Sequence, residues 1–154
     1  MIRVLFVCLG NICRSPMAEA VFRHKVNKRG LQNKIEVDSA GTGDWHIGNP
    51  PHEGTRNILD EYEVDYTGLK ARQVVVEDMN DFDYIIAMDE KNLKDLKMLS
   101  KDKEIQIYRM LEFLPSSEIT NVPDPYFTGN FDEVYEMIDS SCEQLLETMI
   151  KNMK

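Results

Sequence analysis

The sequence predicts an α/β fold, a parallel sheet covered by helices on both faces. Three observations carry this reading. Short apolar runs rich in β-branched and aromatic residues alternate with longer segments of helical periodicity, the pattern that parallel strands joined by crossover helices require. The first run, Ile2 to Val7, feeds a tight polar loop, and that loop feeds a helix. The 154 residues contain no linker, internal repeat or low-complexity segment, so a single domain over residues 1–154 with one continuous core is expected.

Each element has its own warrant. Ile2 to Val7 is too short for a helix and reads as the first strand. Ser15 is a good N-cap for the following helix and Pro16 suits its first position, while Ala18, Val21, Phe22 and Val26 recur on one face until Gly30 stops it. Ile35 to Asp38 alternates as a second strand. Gly41, Gly43, Gly48, Pro50 and Pro51 then break regular structure and leave a loop that carries Trp45. Glu53 to Glu63 reads as a helix with Ile58 and Leu59 inward, and Asp65 to Arg72 as a connector. A short helix from Val76 to Phe82 precedes a third strand, Tyr84 to Met88, after which Asp89 caps a helix from Glu90 to Leu99. Ile105 to Tyr108 is the fourth strand and Pro115 to Gly129 a long loop. Phe131, Val134, Tyr135, Ile138, Cys142, Leu145, Leu146, Met149 and Ile150 trace the buried stripe of a C-terminal helix, with Cys142 in the core.

Composition narrows the function classes. No window approaches a membrane-spanning run and no signal peptide opens the chain, so a cytoplasmic protein with no membrane partner is expected, unconventional export being left open. The net charge is −9, which disfavours a nucleic-acid partner. Residues 1–30 nevertheless hold six basic side chains against Glu19 alone, a local +5 in a chain whose remainder is −14, and such a site still attracts a phosphate. Cys8, Cys13 and Cys142 have no Cys-x-x-Cys spacing, which argues for a reducing compartment and against a disulfide framework or a zinc site. His24, His46 and His52 form no metal-ligand pattern and read as surface or packing residues; no metal or cofactor is expected.

The chemistry concentrates in the first loop. Ligands of parallel sheets bind beyond the carboxyl ends of strands, where Cys8 to Ser15 falls. Backbone N–H groups of Leu9, Gly10, Asn11, Ile12, Cys13 and Arg14 can converge on an anion at the positive end of a helix, with Gly10 easing the turn. The thiolate is the nucleophilic form of cysteine, and a helix N-terminus beside a cation favours it, which makes Cys8 the candidate nucleophile. Arg14 offers a planar fork for two phosphoryl oxygens, and Ser15 a hydroxyl for the sulfur.

Cys8, five residues, then Arg14-Ser15 directly after a first strand resembles the signature of the low-molecular-weight protein tyrosine phosphatases. Asp38-Ser39-Ala40-Gly41-Thr42, Lys70-Ala71-Arg72-Gln73, Met88-Asp89-Glu90 and Asp124-Pro125-Tyr126 follow in that family's order. The resemblance implies a four-stranded, Rossmann-like sheet and hydrolysis of phosphotyrosine in proteins through a cysteinyl-phosphate. Expulsion of the phenol needs a proton donor, and Asp124 resembles the family's general acid and base. Trp45, Tyr126 and Ile12 stand where the family lines its pocket entrance, Asn11 and Ser39 where it supports the loop, and Asp89 is a further support. The partners implied are tyrosine-phosphorylated proteins, with the chain a monomer or weak dimer. Cys13 is a candidate redox partner of Cys8, able to capture its sulfenic acid as a disulfide, unless it merely packs.

Two related activities compete. Arsenate reductases of similar fold pass electrons through further cysteines downstream, and none lies between Cys13 and Cys142. Protein-arginine phosphatases tend to carry Thr at the position of Ile12 and Phe at that of Tyr126, so this chain leans toward aryl phosphates. A binding module without catalysis is expected to lack Cys8, Arg14 or Asp124, and all three are present.

Overall fold

The computed structural model describes residues 1–102 and 104–153. Four strands, β1 (Ile2–Cys8), β2 (Ile35–Gly41), β3 (Tyr84–Ala87) and β4 (Tyr108–Arg109), form one sheet in the order β2-β1-β3-β4 with every pairing parallel. The period of two along β1 divides the core. Val4, Phe6 and Cys8 face one side, packed with α1 (Arg14–Lys28), α2 (Glu53–Glu61) and the C-terminal helix, here α6 (Phe131–Asn152). Leu5 and Val7 face the other, packed with Met79 of α3 (Asp78–Asp81) and Leu96 of α4 (Glu90–Leu99). Both faces are therefore dry, which is why β1 reads as a continuous apolar run.

The chain leaves β1 for β2 on one side and later reaches β3 on the other. That reversal opens a crevice at the carboxyl end of β1, the usual ligand position in such sheets. Cys8 lies there, opposite Gly41 in the register.

Several boundaries differ from those read in the sequence. β2 continues past Asp38 because Ser39, Ala40 and Gly41 pair with Phe6, Val7 and Cys8. The fourth strand is not Ile105 to Tyr108: Ile107 is buried, but the ladder begins at Tyr108 opposite Ile86, since the short β3 offers β4 only Ile86 and Ala87. α2 stops at Glu61, where Glu63 turns left-handed (φ 56°) to bury Val64, and α3 is a single turn. The loop after Pro115 holds one unforeseen turn of helix, α5 (Pro125–Thr128), and a 3-10 turn at Met110–Phe113 precedes it. Among the described residues no helix is long and apolar enough to cross a membrane.

Candidate active site

The Cys8–Arg14 loop is shaped by where its carbonyls go. Thr42 N–H donates to Cys8 O and Gly43 N–H to Leu9 O (2.9 Å each), His52 N–H to Ile12 O (2.7 Å), and the Thr55 hydroxyl to Cys13 O (3.2 Å). Four carbonyls are thus drawn outward by residues 42–55. Among the described residues no protein acceptor takes the N–H groups of Leu9, Gly10, Asn11, Ile12 or Cys13. Such orphan donors at a helix N-terminus form an anion cradle.

Two expectations for this loop are corrected. The left-handed turn falls on Asn11 (φ 56°) and not on Gly10, where an added Cβ would sit 3.1 Å from His46 Cδ2 and press on that imidazole. Asn11 tolerates the conformation because its side chain is held on three sides. Its Oδ1 accepts from Arg72 N–H (2.9 Å) and its Nδ2 donates to Ser15 Oγ (2.8 Å) and Ser39 Oγ (3.0 Å). Ser15 is not the N-cap either. α1 begins at Arg14 with Cys13 in the cap position and no side-chain cap, which leaves the first N–H groups open, and the Ser15 hydroxyl turns to Cys8 Sγ at 3.0 Å.

Behind Ser39 stands Glu19, whose Oε1 accepts the Ser39 hydroxyl at 2.6 Å and whose other oxygen pairs with Arg23. Burial pushes its carboxyl above the ordinary range, against the pull of Ser39 and Arg23. With Arg72 fixing the Asn11 amide and Glu19 taking the Ser39 proton, Ser15 Oγ accepts from Asn11 and its own proton has two acceptors in reach, Cys8 Sγ at 3.0 Å and Ala40 O at 3.4 Å.

Arg14 is only 2% exposed. Its Nη1 donates to Asp89 Oδ2 (2.6 Å) and to Val122 O (3.0 Å), and its Nη2 approaches Asp124 Oδ2 (3.4 Å). Burial disfavours its charge, but Cys8, Asp89 and Asp124 together outweigh that and hold the guanidinium above its ordinary value. Its Nε is buried with no protein partner. Asp89 has two roles, since its other oxygen caps α4 through Asn92 N–H (2.8 Å). Asp124 caps α5 through Tyr126 N–H (3.1 Å) and also faces the cavity.

That cavity, about 360 Å³, is lined by Cys8, Leu9, Gly10, Ile12, Cys13, Trp45, His46, Asp124, Tyr126 and Phe127. Trp45 does not pack on the core: it is 67% exposed, and its ring lies over Gly43, where a Cβ would clash. The Tyr126 ring neighbours those of His46 (6.3 Å between centroids) and His52 (5.9 Å), and His52 stacks on Phe131. Burial, then the charge of Cys8, pushes the Cys13 thiol up to about 12. Among the described residues no cluster of three His, Cys, Asp or Glu side chains is placed to hold a metal ion.

The profile of the low molecular weight phosphotyrosine protein phosphatases matches residues 3–154. The chain belongs to this family. It is 55% identical over 152 residues to the low molecular weight protein-tyrosine-phosphatase YfkJ of Bacillus subtilis (strain 168), across 98% of this chain and 97% of that protein. PtpA of Staphylococcus saprophyticus, of the same description, is 49% identical over 99% of this chain and 96% of its own. The crystal structure of YfkJ superposes with a TM-score of 0.97 at 54% identity, covering 100% and 98% of the two chains. The crystal structure of a Drosophila arginine phosphatase also superposes, at 0.86 and 38% identity over 95% and 96%, so this phosphatase fold alone does not select the phosphorylated residue.

The fold brings the candidate site residues to one place: Cys8, Leu9, Gly10, Ile12, Cys13, Trp45, Asp124 and Tyr126 on the cavity, and Asn11, Arg14, Ser15, Ser39 and Asp89 beneath it. Sequence reasoning missed His46 and Phe127 on the wall, and Glu19 and Arg72 in the support. His46 had a local signal in its neighbour Trp45, whereas nothing in the linear order ties Arg72 to Asn11.

Proposed function

We propose that this phosphatase hydrolyses phosphotyrosine in proteins, with Cys8 as nucleophile, Arg14 and the loop N–H groups as phosphate ligands and Asp124 as general acid and base. The observation that carries this is the buried, unpartnered Nε of Arg14 behind a ring of unsatisfied N–H groups and beside Cys8. Such a constellation is satisfied by a tetrahedral dianion. The Cys8 sulfur forms a bond to phosphorus as the P–O bond to the phenol breaks, and Asp124 gives its proton to the departing oxygen. Water then attacks the cysteinyl-phosphate and passes a proton to Asp124, the S–P bond breaks, and inorganic phosphate leaves.

Ile12, Trp45 and Tyr126 support an aryl substrate, because they surround the cradle with apolar and aromatic surface that packs on a phenyl ring. Cys13 acts in the redox arm of this proposal. Peroxide oxidises Cys8 to a sulfenic acid, and the Cys13 sulfur displaces its hydroxyl as water to form a reducible disulfide.

Turnover of an aryl phosphate tests the core. Cys8→Ser loses it, and Asp124→Ala loses more kcat/KM on esters of weakly acidic phenols than on those of acidic ones. Full activity in Cys8→Ser sinks the mechanism, and faster hydrolysis of phosphoarginine than of phosphotyrosine peptides overturns the substrate assignment.

A further inference from the structure

We propose that Asn121 is a positioning residue for Asp124, an inference that rests on Asp124 being the general acid. The segment between Leu114 and Asp124 has no regular structure, so the carboxyl that must reach the leaving oxygen is carried on loop backbone. The carboxylate itself caps α5 through Tyr126 N–H and meets Arg14 Nη2 at 3.4 Å, and the backbone that carries it is held upstream by a few further ties. Arg109 Nη1 donates to Thr120 O (3.2 Å), Val122 N–H to Met88 O (2.9 Å), and Arg14 Nη1 to Val122 O (3.0 Å). Between these, Asn121 Oδ1 accepts the N–H of Glu90 at 2.9 Å.

Glu90 N–H is the first of α4 and has no acceptor within the helix. Asp89 satisfies a different donor, Asn92 N–H. The α4 N-terminus is therefore capped twice, once by its own Asp89 and once by Asn121 from the acid loop. Since Asp89 also holds Arg14, the acid loop and the phosphate-binding guanidinium are registered on the same helix end. Only the amide oxygen of Asn121 can meet an N–H, so its orientation is defined.

Asn121 is exposed, lies off the cavity lining and touches neither Cys8 nor Arg14. Among the ties on residues 120–122 it is the one made by the loop's own side chain, so removing it leaves the backbone bonds and Arg14 in place. Loss of its bond lets Asp124 wander, and the effect grows with how much the reaction needs a proton donor.

The test compares kcat/KM of the native enzyme, Asn121→Ala, Asn121→Asp and Asp124→Ala over a series of phenyl phosphates, from 4-nitrophenyl to unsubstituted phenyl phosphate. One lost neutral hydrogen bond predicts a fall of about three- to ten-fold for Asn121→Ala on phenyl phosphate. On 4-nitrophenyl phosphate the change stays within about two-fold, as the nitrophenolate needs little protonation. Asn121→Asp, which keeps an acceptor at a helix N-terminus, restores the native dependence, and alkylation of Cys8 by iodoacetate keeps its native rate in both variants. A uniform loss across the series, or none, in Asn121→Ala while Asp124→Ala steepens the dependence overturns the role of Asn121 alone. A flat series in Asp124→Ala removes the general acid itself, and this inference with it.

Discussion

Ser15 Oγ lies 3.0 Å from Cys8 Sγ and 2.8 Å from the Asn11 amide nitrogen that donates to it. The hydroxyl has one proton to give, the Asn11 amide nitrogen is itself a donor and cannot accept it, and the alternative acceptor, Ala40 O, is farther at 3.4 Å. The nucleophilic sulfur is therefore the natural recipient. A hydrogen bond to a charged group contributes about 1.5–3 kcal/mol, so Ser15→Ala lowers kcat by about 10- to 100-fold. Alkylation of Cys8 by iodoacetate at pH 6 slows with it, and a rate equal to the native one refutes the assignment.

Gly41 pairs with Cys8, and a Cβ added there would meet Leu9 O at 2.9 Å and Asn11 N and Gly10 C at 3.1 Å. These are backbone atoms of the phosphate loop and cannot swing aside. Gly41→Ala is expected to cost about 1–3 kcal/mol of stability. Because the strain falls on the cradle, the variant also binds inorganic phosphate more weakly, read as a raised inhibition constant.

The Cys13 thiol, pushed up to about 12, is almost wholly protonated at pH 7.5. Brief treatment with iodoacetamide at that pH therefore labels Cys8 and spares Cys13 and the fully buried Cys142, which peptide mass mapping reads directly. The redox arm has its own check. After peroxide, dithiothreitol restores less activity to Cys13→Ala than to the native enzyme, and equal recovery rules out the protective disulfide.

Glu19 is a buried carboxyl whose folded value is raised, so the native state holds its proton more tightly than the unfolded chain does. Stability attached to this group is present at low pH and falls as pH rises from about 4.5 toward the raised value. Relative to Glu19→Gln, the native protein thus loses Tm between pH 4.5 and neutrality, and a difference constant with pH contradicts this.

Much of the site was legible in the linear order because it is contiguous. The strand, the loop and the start of α1 occupy residues 2–28, and short-range sterics with apolar periodicity define them. The spacing of Cys8 from Arg14 puts nucleophile and guanidinium on one cradle, and the helical period of Val134, Ile138, Cys142, Leu145 and Met149 marks the buried stripe of α6. Within that stretch the Ser15 hydroxyl meets the sulfur as expected, but the left-handed turn fell to Asn11 and the cap position of α1 to Cys13, because side-chain partners from elsewhere outweighed local propensity.

The sequence by itself determined an α/β chain with a phosphate-binding loop after its first strand and a helix behind it. The tertiary structure decided what surrounds that loop. Ser39 reaches Asn11 across 28 residues, Asp89 reaches Arg14 across 75 and Asp124 across 110. Those separations are closed only by the strand order β2-β1-β3-β4, which sets the ends of β2 and β3 on either side of Cys8. Which distant side chains meet there follows from sheet register and burial, and neither is a property of any local window.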